Sequence, residues 1–392
     1  MSEVVLFETL DANNASKIGV ATLNAEKSLN SLSVEMVGLL MPQLEAWQAD
    51  VTVVCVVLQA AGEKAFCAGG DIRRLYDTMV ECGSEKPNEY AEAFFENEYR
   101  LDYLIHTYKK PLIVWGHGIV MGGGIGLMSG ASHRVVTEKS RLAMPEINIG
   151  LYPDVGSTWF LNHTPGRTGL FLGLTGANIN AADALFVGLA DRFVMHEHKA
   201  AVLDALKQAN WVVSSTEHSK LDALNMHADA TENHAIVSHV LRSFEDLNQL
   251  PESKLREHFD LIQAVTDGDS LADIAAQISS LRQADVAEDV WISRAISGLE
   301  KGCPTTAHLV YQQLQRGKKL SLESVFQMEL IMSLQCAMHP DFPEGVRALL
   351  VDKDGKPKWQ HESIAAVPAA WIEQHFVAPW GDAPNPLTDL NQ

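Results

Sequence analysis

Three short segments of this 392-residue chain carry groups that can do chemistry. The first is Lys64-Ala65-Phe66-Cys67-Ala68-Gly69-Gly70-Asp71-Ile72. Adjacent glycines between a buried run and a helical pattern permit a tight turn and close approach of a ligand to backbone N–H groups. Asp71 stands where a helix N-cap is useful. The second is Met121-Gly122-Gly123-Gly124-Ile125-Gly126, again a helix start. Its spacing is not that of a dinucleotide fingerprint. If the two turns face each other, their N–H groups can hold one oxygen and stabilise charge developing on a carbonyl. The third runs from Ala143-Met144-Pro145-Glu146 to Leu151-Tyr152-Pro153-Asp154-Val155-Gly156. Carboxylates among Met, Pro, Ile and Leu are costly to bury charged, so their pKa tends upward and suits them to acid–base or nucleophilic work. The plainer alternative is a loop with both acids in water.

Two further residues read blandly from spacing alone. Glu98, within Glu96-Asn97-Glu98-Tyr99-Arg100, is expected to be a surface charge on an amphipathic helix. Cys67 lacks a neighbouring histidine base and reads as a small buried residue. The fifteen histidines show no metal-binding spacing, so no metal site is assigned.

The elements that must position these residues alternate in the first half. Val4–Glu8 and Lys17–Leu23 read as strands, and a helix capped by Ser33 is expected to reach about Trp47. Val53–Leu58 is a continuous β-branched run, the mark of a strand covered on both faces. Residues 88–108 read as a helix, Pro111–Trp115 as a buried strand, 121–131 as a helix and Arg134–Thr137 as a short strand. Strands alternating with helices imply an α/β fold. Beyond about residue 180 the pattern becomes helical, over 181–206, 217–227, 232–247, 251–266, 270–281, 287–301, 305–316 and 321–337. The end, 339–392, is rich in Pro, Trp and Gly and reads as a packed irregular tail.

Composition narrows the partners. With 30 Lys and Arg against 50 Asp and Glu the net charge is −20, and no basic cluster is present to neutralise a nucleic-acid backbone. No apolar run reaches the roughly 18 residues that a membrane helix needs. Five scattered cysteines without a C-x-x-C pair fit a reducing compartment. The opening Met1-Ser2-Glu3-Val4-Val5 lacks the pattern of a leader, so a cytoplasmic protein is expected, or a mitochondrial matrix protein if a transit peptide has been removed.

In this order the three segments resemble the crotonase (enoyl-CoA hydratase/isomerase) superfamily, with its A-F-x-A-G-x-D-I turn, G-G-G helix start and P-E segment. The match covers roughly residues 3–200. Within the superfamily, Gly69-Gly70-Asp71-Ile72-Arg73, Leu151-Tyr152-Pro153-Asp154-Val155-Gly156 and the tail Phe342-Pro343-Glu344-Gly345-Val346-Arg347-Ala348 with Val351-Asp352-Lys353-Asp354-Gly355-Lys356-Pro357-Lys358-Trp359 resemble the 3-hydroxyisobutyryl-CoA hydrolase branch.

The resemblance implies a crotonase-like β-β-α spiral over residues 1–205 that carries the active site, followed by a helical region and packed tail over 206–392. It implies an oxyanion hole at Gly70 and Gly123, catalytic Glu146 and Asp154, and substrate contacts from Glu98, Gly123, Glu146 and Asp154. Coenzyme A contacts are implied at Lys27, Ser28, Ala68, Gly69, Asp71 and Ile72. Coenzyme A would arrive as part of an acyl-CoA thioester substrate, with no separate cofactor, and self-association through C-terminal helices is expected.

One departure directs the chemistry. Hydratases of the superfamily carry a second glutamate after the glycine run, where this chain has Gly126. Asp154 supplies the second carboxylate instead, as in the hydrolase branch, and the resemblance implies cleavage of a short 3-hydroxyacyl-CoA thioester, 3-hydroxyisobutyryl-CoA of valine breakdown. The alternatives are a hydratase, an isomerase that uses Glu146 alone, and a non-catalytic acyl-CoA-binding protein. Only a hydrolase releases free thiol.

Overall fold

The computed structural model describes residues 3–83, 88–213 and 222–391. Its β-strands form two sheets. The larger holds β1 (Val5–Asp11), β2 (Lys17–Leu23), β3 (Val53–Ala60), β5 (Leu112–Gly116), β7 (His133–Val136) and β9 (Arg192–Phe193), in that spatial order. β1 and β2 pair antiparallel, and every later pair is parallel. The smaller, all-parallel sheet holds β4 (Ala65–Cys67), β6 (Ile119–Met121) and β8 (Arg141–Ala143). From β3 to β8 each pass of the chain therefore lays one strand in the first sheet, one in the second and then turns into helix, which is a β-β-α spiral. Periodicity does not reveal β4, β6 or β8, because three residues are too few to show a repeat.

The helices of the spiral are α1 (Val34–Ala49), α2 (Ile72–Cys82), α3 (Glu89–His106) and α4 (Gly123–Ser129). The Ser33 hydroxyl accepts the Met36 N–H and the Asp71 carboxylate accepts the Arg74 N–H, so both expected caps form. Asn88 caps α3 through the N–H groups of Tyr90 and Ala91. Each cap satisfies a first-turn donor and contributes about 1 kcal/mol.

β3 is covered on both faces, as its β-branched run requires. Val56 and Leu58 enter the main apolar cluster, and Cys55 and Val57 enter a second one. That second cluster is roofed by Val202 and Leu206 of α8 (Lys199–Gln208) and by Val237, Val240 and Leu241 of α9 (Asp222–Ser243).

Between them the chain adds α5 (Ser157–Asn162), α6 (Thr168–Thr175) and α7 (Ala181–Phe186). The helix expected over 181–206 is thus two helices: Gly188 turns at φ +76°, and β9 intervenes. The expected segments 217–227 and 232–247 correspond to α9 where they are described, and 217–221 lies outside the described residues.

The rest comprises α10 (Lys254–Glu257), α11 (Phe259–Val265), α12 (Leu271–Ser280), α13 (Val290–Lys301), α14 (Pro304–Gly317) and α15 (Leu322–Met338). Ser270 and Ser321 cap α12 and α15 as expected. The tail is more regular than its composition suggests, with α16 (Asp341–Val346), a π-helical turn Arg347–Val351 and α17 (Ala369–Gln374). A single apolar cluster runs from Val5 to Leu387. The expected 205/206 division falls inside α8, whose Val202 and Leu206 share one cluster, so we propose it only as an approximate end of the spiral.

The glycine run sets how closely α4 lies on β4. A Cβ at Gly124 would fall 3.0 Å from the Cys67 Cβ and closer still to the Cys67 carbonyl oxygen. Gly124→Ala is expected to lower the unfolding free energy by about 1–3 kcal/mol, the range for overpacking a core contact. Gly38→Ala, at an open position of α1 with no described atom within 4 Å of the added Cβ, is expected to raise it by about 0.5–1 kcal/mol. Urea midpoints of the two variants check both signs.

Candidate active site

A cavity of about 460 Å³ opens between the two glycine turns, α3 and the segment after β8. Gly69 turns at φ +106° between β4 and α2. The Leu32 N–H donates to the Gly69 carbonyl and the Asp71 N–H to the Leu32 carbonyl, both at 2.8 Å, so the Gly70 N–H between them is left out of the ladder. Gly123 opens α4, and a first-turn N–H has no acceptor within its own helix. The Gly70 nitrogen lies 3.5 Å from where a Cβ on Gly123 would stand. Two free-standing donors therefore border one small space.

Three carboxyl groups border the same space. Glu146 opens the 3-10 turn Glu146–Asn148 after β8 and is 5% exposed, with Oε2 unpartnered among the described residues. Burial first, and the nearby Asp154 second, push its pKa well above the ordinary carboxylate value. Glu98 is 2% exposed on α3, and its Oε1 sits over the Gly123 Cα. Burial, Asp154 and Glu146 push its pKa well up too. Asp154 accepts the Tyr99 hydroxyl at 2.7 Å, and burial raises its pKa to about 7. Glu98, expected at the surface from spacing, is instead on the buried side of α3. That helix is enclosed nearly all round, with Phe94, Phe95, Tyr99, Leu101 and Ile105 also buried.

Of the expected coenzyme A contacts, Ser28, Ala68, Gly69, Asp71 and Ile72 line the cavity. Lys27 is exposed beside Ser28 and is not among the lining residues. Cys67 is buried behind the turn, and burial pushes its thiol up to about 12, in keeping with an inert core residue. The group of candidate metal ligands found among the described residues, Glu257, His258 and Asp289, does not line this cavity, and Lys254 Nζ pairs with Glu257 at 2.7 Å and Asp289 at 3.0 Å.

The structure adds groups that sequence reasoning missed. Asp102, one helical turn beyond Glu98, is fully buried, and both its oxygens are without a hydrogen-bond partner among the described residues. Burial and Glu98 push its pKa well up. Its Oδ2 lies 2.8 Å, and the Val155 Cβ 2.7 Å, from where a Cβ on Gly126 would stand. No side chain fits at 126 without displacing one of them. The i, i+4 pair Glu98 and Asp102 was the available signal, since it shares a helix face with aromatics.

Behind Asp154 the backbone is strained. Val155 has φ +55°, which a β-branched residue rarely adopts and which costs on the order of 1–3 kcal/mol. Gly156 follows at φ +83°. The Glu329 carboxyl of α15 accepts the Gly156 N–H at 2.7 Å and the Thr158 N–H at 2.9 Å, which fixes this turn and the start of α5. Burial raises the Glu329 pKa to about 8 against these hydrogen bonds. Ser333, one turn along α15, bonds the hydroxyls of Tyr99 at 2.6 Å and Tyr152 at 2.9 Å.

The chain matches the enoyl-CoA hydratase/isomerase family over residues 18–376, and it belongs to that family. Among individual proteins, it is 35% identical over 381 residues to the mitochondrial 3-hydroxyisobutyryl-CoA hydrolase of Danio rerio, covering 95% of this chain and 89% of that protein. It is 34% identical over 361 residues to the mitochondrial enzyme of the same name from Homo sapiens, covering 91% and 86%. In structure it resembles a carnitinyl-CoA dehydratase from Mycobacterium thermoresistibile, with TM-score 0.79, 32% identity and coverage of 96% and 97%. It also resembles an enoyl-CoA hydratase from Rhodobacter sphaeroides, with TM-score 0.76, 30% identity and coverage of 94% and 96%. The fold is therefore the crotonase fold, and the relatives are enzymes acting on coenzyme A thioesters by name.

The raised carboxyl pKa values make stability depend on pH. The folded protein holds protons on Asp154 and Glu329 that the unfolded chain, with values near 3.8 and 4.5, has already released. That contribution is complete at low pH and is lost as pH rises through about 7 and 8. Between pH 7.5 and 8.5, above the unfolded-chain value of 6.5 from which burial lowers His106, His133 and His375, the urea midpoint is expected to fall. Glu329→Gln, whose amide oxygen can still accept a backbone N–H, is expected to flatten that slope. A wild-type midpoint that rises over this window would contradict the assigned shifts.

Proposed function

We propose that this chain hydrolyses the thioester of 3-hydroxyisobutyryl-CoA to 3-hydroxyisobutyrate and coenzyme A, a step of valine breakdown. The observation that carries the reading is the set of buried carboxyls around two free N–H donors, with Glu146 and Asp154 present and no room for an acid at Gly126. The names of the relatives that match nearly the whole chain support it.

In this reading the thioester oxygen is held by the Gly70 and Gly123 N–H groups. Each such donor contributes roughly 3 kcal/mol as charge develops on that oxygen. Glu146 acts at the carbonyl carbon by one of two routes. It takes a proton from a water whose oxygen attacks, or it attacks directly and water then opens the resulting anhydride. In both routes the C–S bond breaks and the departing thiolate takes up a proton. Asp154, titrating near 7, is suited to deliver that proton or to orient the water. Glu98, over Gly123, is assigned to the 3-hydroxyl of the acyl group. Coenzyme A enters as part of the substrate and leaves as the free thiol, with Ser28, Ala68, Gly69, Asp71, Ile72 and the neighbouring Lys27 assigned to it, and no metal or redox cofactor takes part.

The dehydratase and hydratase names of the two structural relatives favour a second reading, addition of water to an enoyl thioester. Against it stands Gly126, where Asp102 and Val155 take the space that a further glutamate would need.

Five free cysteines fit work in a reducing compartment, the cytoplasm or the mitochondrial matrix, and among the described residues no helix is long and apolar enough to cross a membrane. Self-association through the C-terminal helices is part of the same proposal and rests on the family resemblance.

Thiol release from 3-hydroxyisobutyryl-CoA, followed with a thiol-reactive dye beside hydration of crotonyl-CoA, tests the proposal. Release from the first without hydration of the second is expected, and hydration without release would overturn the hydrolase reading. Glu146→Gln is expected to lower kcat by about 10³-fold, within the range for losing a general base. Isobutyryl-CoA, which lacks the hydroxyl, is expected to be cleaved about 10⁴-fold less efficiently than the 3-hydroxy substrate. Glu98→Ala is expected to narrow that gap mainly by slowing the 3-hydroxy substrate.

A further inference from the structure

The two residues that follow the tail motif Phe342-Pro343-Glu344-Gly345-Val346-Arg347-Ala348, Leu349 and Leu350, reach the catalytic cavity although they lie about 200 residues beyond Glu146 in the chain. We propose that the Arg347-centred turn builds the mouth of the thioester cavity, and that Leu349 on this turn packs against the pantetheine arm of coenzyme A. This rests on the acyl-CoA reading above and extends it to the part of the ligand remote from the reaction.

The turn is tied by charge. The Arg347 guanidinium makes a two-point contact with the Glu344 carboxylate, at 2.8 Å from each nitrogen, and also binds Asp352 and, at 2.9 Å, Asp354. The same Glu344 accepts the Lys358 N–H at 2.7 Å, which folds the following loop back onto the turn. One cation thus gathers three acids from both ends of the π-helical turn Arg347–Val351, a rare backbone form concentrated at functional sites.

The turn is seated on the catalytic segment itself. A Cβ at Gly345 would collide with the Ile149 backbone, and a Cβ at Gly150 would collide with the backbone of Asp341 and Phe342. Ile149 and Gly150 lie between Glu146 and Asp154, so the tail packs backbone to backbone against the stretch that carries both acids. On the other side Arg73 Nη1 reaches the Leu350 carbonyl at 3.5 Å.

Leu349 and Leu350 line the same cavity as Glu146. Glu146 is 5% exposed and marks the floor, whereas Leu349 is 47% exposed and marks the mouth. Leu349 also stays outside the apolar cluster that its neighbours Leu350 and Val351 pack against. A large aliphatic side chain held at a cavity mouth by an ordered turn is suited to the methylene and dimethyl stretches of an arm lying across it. With the acyl group at the carboxyls on the floor, the part of an acyl-CoA that crosses the mouth is the pantetheine arm. Arg347 touches no ligand in this assignment and acts as a positioning residue for Leu349.

The test compares steady-state turnover of the coenzyme A thioester with that of the N-acetylcysteamine thioester of the same acid, which lacks most of the arm. Leu349→Ser, a surface change, is expected to raise KM for the coenzyme A thioester about tenfold with kcat within about twofold. It is expected to change kcat/KM for the short thioester less than about twofold. Arg347→Ala is expected to give the same split, with partial rescue in Arg347→Lys. Equal losses on both thioesters, or an unchanged KM in Leu349→Ser, would overturn the assignment. Calorimetric binding of free coenzyme A to wild type and to Leu349→Ser separates this inference from the hydrolase reading. If wild type releases no thiol but Leu349→Ser still weakens coenzyme A binding, the functional reading alone has failed. If the two bind coenzyme A equally, the mouth assignment has failed.

Discussion

The Glu329 carboxyl accepts the N–H groups of Gly156 and Thr158 from inside the protein, and the geometry of the site hangs on that contact. It holds Val155 in a left-handed conformation that this residue does not choose for itself. With Val155 so turned, Asp154 faces the cavity and meets the Tyr99 hydroxyl, while the Val155 side chain closes against Gly126. Because Glu329 belongs to α15, the strain in the catalytic segment is balanced by a helix of the C-terminal region. The spiral and that region are therefore one unit at the site, whatever their separate ancestry in sequence pattern.

A second constraint is electrostatic. Glu98, Asp102, Glu146, Asp154 and Glu329 are all buried within one neighbourhood, and burial drives the pKa of each upward. Burying five charges of one sign together is prohibitive, so most of these groups must hold protons. A site of this kind contains acids able to donate as well as a base able to accept, which is what thioester cleavage requires of the residues proposed here.

The same packing separates the proposed chemistry from that of relatives on this fold. The glycine at 126 is more than a missing acid, because Asp102 from α3 and Val155 from the catalytic turn take the volume. An acid at that location is delivered from a different helix and lies buried behind the cavity, away from its lining. Fold likeness at 30–32% identity to a dehydratase and a hydratase is thus compatible with a different reaction.

By itself the sequence determined the local devices. The capped starts at Ser33, Asp71, Ser270 and Ser321, the two-faced strand β3, the glycine turns and the acids at 146 and 154 all follow from neighbours within a few residues, because caps, turns and apolar repeats are short-range physics. Resemblance of those segments pointed to the fold and to Glu98. Only the tertiary structure decided what the devices enclose. It turned Glu98 from an apparent surface charge into a buried acid, brought the Gly70 and Gly123 turns to one space, joined Asp102 to Gly126, and carried Leu349 to the cavity mouth. Three-residue strands such as β4 and β6 are too short to announce themselves, yet their pairing is what brings the glycine turns together. Contacts of that kind depend on how distant segments pack, and no pattern within a single segment carries that information.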